Sequence, residues 1–211
     1  LNFIMGAISI FDLKEAQKYN KTPYFVETGT LYGEGVEYAI KQGFEEIHSI
    51  EIEPTLYETA KEKFKSFPQV SIHQGNSHEV LKTLLPKLKG NITFWLDAHF
   101  PGADAHLVPY DQCLNLEPSV NLPLEKEIEL IGERTNLYKD FLIVDDLWIY
   151  EDIKINGVGF NEHNVNHGHN ITREELVNGK NLDFLYNRFR DTHDFKKVYV
   201  HQGYVLVRPK I

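Results

Sequence analysis

The stretch Tyr24-Phe25-Val26-Glu27-Thr28-Gly29-Thr30-Leu31-Tyr32-Gly33-Glu34-Gly35 constrains the fold more than any other part of the chain. A short apolar run, Tyr24–Val26, ends in a carboxylate, and glycines then interrupt the chain at 29, 33 and 35. A helical pattern follows at once through Val36, Ala39 and Ile40 and stops at Gly43. This predicts a strand, a tight turn and a helix. Glycine accepts φ > 0 and lets a ligand come close to the peptide N–H groups at a helix start. Such a construction belongs to nucleotide-type cofactor sites. Its spacing is not the G-x-G-x-x-G of dinucleotide sites, and a carboxylate at the strand end would repel a pyrophosphate.

The alternation of strand and helix continues. Strand two is Glu46–Glu51, and Pro54 opens a helix whose stripe is Leu56, Ala60, Phe64 and Phe67. Strand three, Val70–His73, runs into Gln74-Gly75-Asn76-Ser77. The helix marked by Val80, Leu81, Leu84, Leu85 and Leu88 is bent or ended by Pro86. Strand four, Asn91–Leu96, is almost continuously apolar, as befits a strand covered on both faces, and delivers Asp97-Ala98-His99 at its end. Residues 100–123 lack a period and are expected to form a long functional loop. Leu124, Ile128 and Ile131 mark a helix, and strand five, Asp140–Val144, ends in Asp145-Asp146.

From 147 to 170 the pattern dissolves, leaving a polar loop with His163, His167 and His169 that is solvated or faces substrate rather than forming a separate zinc site. Thr172-Arg173-Glu174-Glu175 has the form of a capping box, with Leu176, Leu182, Leu185 and Phe189 beyond it. Phe195–Val200 and Tyr204–Val207, joined by Gln202-Gly203, predict a terminal hairpin. A short helix over Ser9–Asn20 leads in, within an N-terminal segment 1–22. The fold class expected is α/β, Rossmann-like. It is a single domain over 1–211, with a mostly parallel seven-stranded sheet, a C-terminal antiparallel hairpin and helices on both faces.

With 211 residues and a net charge of −9, the chain suits one α/β domain and makes a poor surface for nucleic-acid phosphates. A small-molecule or glycan acceptor fits that balance better. The lone Cys113 cannot form an internal disulfide, which suits a reducing, cytoplasmic setting, and it reads as a small buried hydrophobe. No apolar run is long enough to span a bilayer, and there is no signal peptide. Because the first residue is Leu1, the chain is either a piece of a longer polypeptide or a protein starting at Met5. A homodimer, or fusion to further domains, is compatible with this.

Glu27-x-Gly29-x-x-x-Gly33-x-Gly35 resembles motif I of class I S-adenosylmethionine (SAM)-dependent methyltransferases, E/D-x-G-x-x-x-G-x-G. The resemblance implies that Glu27 receives the cofactor's amino group, with Thr28, Gly29, Thr30, Gly33 and Gly35 around it. Glu51 lies about twenty residues past the turn, where an acidic residue accepts hydrogen bonds from ribose hydroxyls; otherwise it is a solvated strand-end charge. In that family a Gly-Asp/Asn-Ser segment holds the adenine, which makes Asn76 and Ser77 candidates, although turn chemistry alone also explains Gly75-Asn76-Ser77.

Asp97, Asp145 and Asp146 come from the ends of two strands that should be neighbours. Packed carboxylates resist ionisation together unless a cation neutralises them, and a hard divalent ion, Mg²⁺ or Mn²⁺, does so while leaving positions open for substrate. The Asp…Asp-Asp pattern resembles metal-dependent O-methyltransferases, above all the macrocin O-methyltransferase type, which methylates sugar hydroxyls. The likeness runs from Tyr24 onward. It implies methyl transfer to a sugar or polyol hydroxyl, with Asp97 beside the methyl donor and His99 as the base. Otherwise His99 is a structural imidazole. Catechol-type relatives carry a lysine three residues past the metal aspartate; here Phe100 stands there. Trp148 and Tyr150, and with them His163, either contact the substrate or pack the loop. The rival functions are an NAD(P)-dependent oxidoreductase and a SAM-binding module without chemistry.

Overall fold

The computed structural model describes residues 7–14, 21–166, 171–177 and 180–210. Its strands are β1 (Tyr24–Thr28), β2 (Glu46–Glu51), β3 (Val70–Gln74), β4 (Ile92–Leu96), β5 (Phe141–Val144), β6 (Lys154–Ile155), β7 (Val158–Gly159), β8 (His193–Val198) and β9 (Tyr204–Pro209). Seven of them form one sheet in the order β3-β2-β1-β4-β5-β9-β8. β1 to β5 pair in parallel, and β9 runs antiparallel between β5 and β8. The predicted seven-stranded sheet with its terminal hairpin is therefore the sheet observed.

Consecutive strand residues serve opposite faces. Val26, Phe94, Leu96, Leu142 and Val144 join one apolar cluster, with residues of the helices Ser77–Leu84, Leu124–Gly132 and Asp183–Phe189. Phe25, Ile47, Trp95 and Ile143 join a second, with Val36, Ala39 and Phe64. Both faces are thus dry, which is why these strands read as apolar runs. At the opposite edge from the strand carboxyl ends, Arg134 closes the sheet. Its guanidinium bonds Asp140 at 2.8 Å and donates to the carbonyls of Leu85, Leu88 and Gly90.

Register decides what the carboxyl ends bring together. Thr28 is opposite Leu96, and Leu96 is opposite Val144. The next residues, Gly29, Asp97 and Asp145, therefore form one row. β1 is also where the crossovers turn from one direction to the other, and in open α/β sheets a crevice forms there.

Several boundaries differ from the sequence pattern. β1 runs on to Thr28 because Glu27 and Thr28 are paired on both sides. β8 starts earlier, at His193, and ends at Val198, so Tyr199 and Val200 belong to the turn, closed by the Gly203 N–H on the Val200 carbonyl. The stretch expected to be loop after β5 contains the helix Leu147–Tyr150, the β6–β7 hairpin and the helix Phe160–Asn166, each too short to carry a period. Residues 100–123 include the short helices Tyr110–Cys113 and Pro118–Asn121. Ile8–Ile10 form a 3₁₀ turn; the rest of the expected lead-in helix falls largely on residues outside those described, as do His167 and His169. Among the described residues, no helix is long and apolar enough to cross a membrane.

Candidate active site

The crevice at the carboxyl ends has two adjoining compartments, of about 80 and about 780 Å³. Gly29, Leu31, Asp97 and His99 line both. The smaller adds Glu51, Gly75, Asn76 and Ser77; the larger adds Glu27, Thr30, Gly35, Asp145, Asp146, Trp148 and His163.

The glycine turn is shaped by the protein's own contacts. Gly29 has φ +84°, and a Cβ there would stand 2.7 Å from the Asp97 carbonyl oxygen, so the turn lies flat on the end of β4. Gly33, also at φ +80°, faces the Phe64 ring, 2.5 Å from a notional Cβ. At Gly35 a Cβ would meet Glu27 Oε1 at 1.7 Å. Gly33 and Gly35 are thus demanded by Phe64 and Glu27 themselves. The missing side chain at Gly35 lets the Glu27 carboxyl reach the start of the helix Glu34–Gln42, where its charge is favoured.

Glu27 is buried, and Ser49 Oγ donates to its Oε2 while Thr30 Oγ1 lies 2.6 Å from Ser49 Oγ. Burial pushes the Glu27 carboxyl up to about 8 against the opposing pull of Ser49. Glu51 is held by two backbone N–H groups, Leu31 on Oε2 and Glu53 on Oε1, each at 2.9 Å. It is therefore not a solvated strand-end charge: its carboxylate is oriented, and burial raises its pKa. Asn76 caps the helix Ser77–Leu84 by position and donates to the Ser119 carbonyl.

Thr28 lies outside the lining of both compartments, whereas Ser77 lines the smaller one. Thr28 is fully enclosed and Ser77 nearly so, and both hydroxyls lie beside the carboxyl of Glu127. They face the layer beneath the crevice because the helix Leu124–Gly132 inserts Glu127 there. Glu127 went unnoticed in the sequence, yet a signal existed: it interrupts the apolar stripe of Leu124, Ile128 and Ile131.

Asp97, His99 and Asp146 can each offer a ligand atom within 4.8 Å of the others. His99 Nε2 touches Asp146 Oδ2 and lies 3.4 Å from Asp97 Oδ1. Its Nδ1 is 3.6 Å from Asp104 Oδ2, and Asp104 in turn accepts from the Tyr110 hydroxyl. Burial alone would depress the imidazole; the surrounding carboxylates outweigh it and hold His99 well above its ordinary value. Burial lifts Asp97 to about 6. Asp146 sits in a left-handed backbone conformation, φ +54°, which aims its side chain at His99.

Asp145 stands apart from the tight cluster. Its Oδ1 accepts the Asp146 N–H at 2.7 Å, and burial, followed by the charges of Asp97 and Asp146, raises its pKa strongly. The close cluster holds two of the three expected aspartates together with His99, and Asp145 stands behind them. Trp148 lines the larger compartment, its ring edge-on to Phe160 and 4.9 Å from His163. Tyr150 does not: it is turned into the core, edge-on to Phe184, because the helix Leu147–Tyr150 puts the two aromatics on different sides. Asp104 and Tyr110 were invisible in the sequence because their loop has no repeat to place them.

No family model matches the sequence, and no curated protein matches it either. Solved structures do share the fold. A proposed caffeoyl-CoA O-methyltransferase from Staphylococcus aureus is 16% identical, with a TM-score of 0.60 over 98% of this chain and 85% of its own. An O-methyltransferase from Bacillus cereus, in complex with SAH, is 10% identical, TM-score 0.58, over 100% and 84%. The O-methyltransferase TomG from Streptomyces achromogenes, involved in tomaymycin synthesis and in complex with SAM, is 15% identical, TM-score 0.54, over 100% and 83%. At such identities the likeness establishes the Rossmann-like methyltransferase fold.

Proposed function

We propose that the chain is a SAM-dependent O-methyltransferase that methylates a hydroxyl of a sugar or similar polyol. The observation that carries this is the meeting, in one crevice, of Glu27, Gly29 and Glu51 with the Asp97–His99–Asp146 cluster. The first group suits the cofactor. Glu27 is a buried carboxyl whose charged form needs a cationic partner, and the amino group of SAM supplies one. Glu51 presents a fixed pair of oxygens to ribose hydroxyls, and Asn76 and Ser77 border the compartment where adenine would lie. A dinucleotide fits poorly, because Glu27 occupies the helix start that a pyrophosphate would need.

The second group suits the acceptor. Asp97 and Asp146 offer oxygens at close range, which a divalent ion such as Mg²⁺ or Mn²⁺ accepts alongside water and substrate oxygens. Such an ion would polarise a substrate hydroxyl and make its proton easier to remove. In its neutral form His99 would take the hydroxyl proton through Nε2, the nitrogen turned toward Asp97 and Asp146, and in that role it is not itself a ligand of the ion. Trp148 and His163 form the wall against which a sugar ring would lie. Methyl transfer to the oxygen further requires oxygen, methyl carbon and sulfur in line, with the sulfonium leaving as the neutral thioether of SAH.

The test is a purified chain incubated with methyl-labelled SAM and a panel of glycosides. Label in a glycoside, lost in Asp97→Ala and reduced by EDTA, is the expected result. SAM binding without transfer to any acceptor would leave only a binding module.

A further inference from the structure

The layer beneath the crevice holds a carboxyl group that methyl transfer itself does not require. Glu127, on the helix Leu124–Gly132, is 1% exposed and shares that helix's buried face with Leu124, Ile128 and Ile131. Burial pushes its carboxyl up to about 7, against the opposing pull of two enclosed hydroxyls beside it, those of Ser77 and Thr28. Yet Thr28 Oγ1, Ser77 Oγ and Glu127 Oε1 are each without a hydrogen bond of good geometry among the described residues. Three enclosed oxygens in one place, incompletely bonded, are uncommon in a core that serves packing alone. Asp140 shows the contrast: Arg134 and the Ile92 N–H both satisfy its oxygens.

What the two hydroxyls are attached to gives the carboxyl its meaning. Thr28 ends β1 and is followed by Gly29, whose turn lines both compartments. Ser77 opens the helix Ser77–Leu84 and lines the smaller compartment together with Gly75 and Asn76. One hydroxyl thus belongs to the segment suited to the cofactor's amino-acid end, the other to the segment suited to its adenine. β2 separates β1 from β3 in the sheet, so a single carboxyl beside both hydroxyls links segments that the strands keep apart. We propose that Glu127 is a positioning residue for the cofactor: its carboxyl ties Thr28 to Ser77 and so sets the spacing between the two halves of the cofactor site. Burying a carboxyl costs stability. That cost is offset in the bound state, because a site already at the right spacing loses less on binding. The inference rests on the SAM-dependent reading for the identity of the cofactor.

The test is SAH binding by calorimetry, set beside urea unfolding, on the whole chain and its variants. Glu127→Leu removes the tie and the buried carboxyl together. SAH affinity should fall about tenfold or more, while the urea midpoint stays level or rises. Glu127→Gln keeps an acceptor and a donor for the two hydroxyls and should stay within about threefold of the unchanged chain. Thr28 lines neither compartment, so its hydroxyl acts on the cofactor only through Glu127. Thr28→Val should therefore weaken SAH in the unchanged chain and add nothing in Glu127→Leu, since members of one network are not additive. A role in packing alone lowers the midpoint and leaves the affinity of the folded chain where it was; that result, an equal loss in Glu127→Gln and Glu127→Leu, or additive effects with Thr28→Val would overturn the proposal. Where Glu127→Leu lowers midpoint and affinity together, the pairing with Thr28→Val decides. If the unchanged chain binds no SAH, the cofactor reading falls and this inference with it; if it binds SAH and the variants behave otherwise, the inference alone falls.

Discussion

Asp104 lies 3.6 Å from Nδ1 of His99, on the side of the ring away from Asp97 and Asp146. A carboxylate there favours a proton on Nδ1 by its charge, at a distance too long for a hydrogen bond, and Tyr110 donates to that carboxylate in turn. Asp104→Asn should therefore lower kcat about 10- to 100-fold, the usual effect of removing a partner that orients a working histidine. SAH affinity, measured by calorimetry, should not change. An equal loss of SAH binding would mean that the substitution merely disturbs the loop.

Gly35→Ala should strike the cofactor. The added methyl cannot coexist with Glu27 Oε1 at 1.7 Å, so the carboxyl must leave the helix start. A hydrogen bond to a charged group contributes about 1.5–3 kcal/mol, and SAH should bind about 10- to 100-fold more weakly by calorimetry. Glu27→Gln should show the same direction of change; wild-type affinity in both variants would remove Glu27 from the cofactor site.

Stability should fall as pH rises above 6.5. Burial lifts Glu27 from 4.5 to about 8 and Glu127 from 4.5 to about 7, so the folded chain keeps protons that the unfolded chain has lost. Where the folded state binds more protons, raising pH favours unfolding. His99, held above 6.5, acts in the same direction. His73, depressed to about 4, and His48 and His193, both lowered, oppose it only below 6.5. Urea midpoints should drop steadily between pH 6.5 and 8, with a shallower slope in Glu127→Gln; a midpoint that climbs over this interval would contradict the burial argument.

Arg134→Ala should destabilise the fold by about 3–5 kcal/mol, the cost of leaving one partner of a buried ion pair uncompensated. Arg134 and Asp140 are both nearly enclosed, and the guanidinium also serves the carbonyls of Leu85, Leu88 and Gly90. Denaturant unfolding measures this directly, and a change below about 1 kcal/mol, the value of a surface pair, would show the pair to be dispensable.

Asp146→Asn should weaken Mn²⁺ binding, followed by electron paramagnetic resonance, at least about tenfold. Asp145→Asn should weaken it less, because Asp145 already spends an oxygen on the Asp146 N–H and stands outside the close cluster. The reverse ranking would restore the aspartate trio.

The alternation of strands and helices along the chain, the glycine turn and the acidic strand ends were legible in the sequence because each depends on local rules. Apolar runs mark strands covered on both faces, glycines mark the bend, and a parallel strand must deliver its last residue to the shared edge. Asp97, Glu27 and Glu51 could be named on that basis. What the sequence could not settle is where a side chain turns once it arrives. Thr28 and Ser77 sit beside the crevice yet face Glu127; Asp145 and Asp146 are adjacent yet play unlike parts, divided by a backbone at φ +54°. Tyr150 follows Trp148 by two residues, and a single short helix sends it into the core. Asp104 reaches His99 only through a loop without period. Each of these outcomes is a matter of packing between elements distant in the chain, so no local pattern records it, and only the assembled tertiary structure decides it.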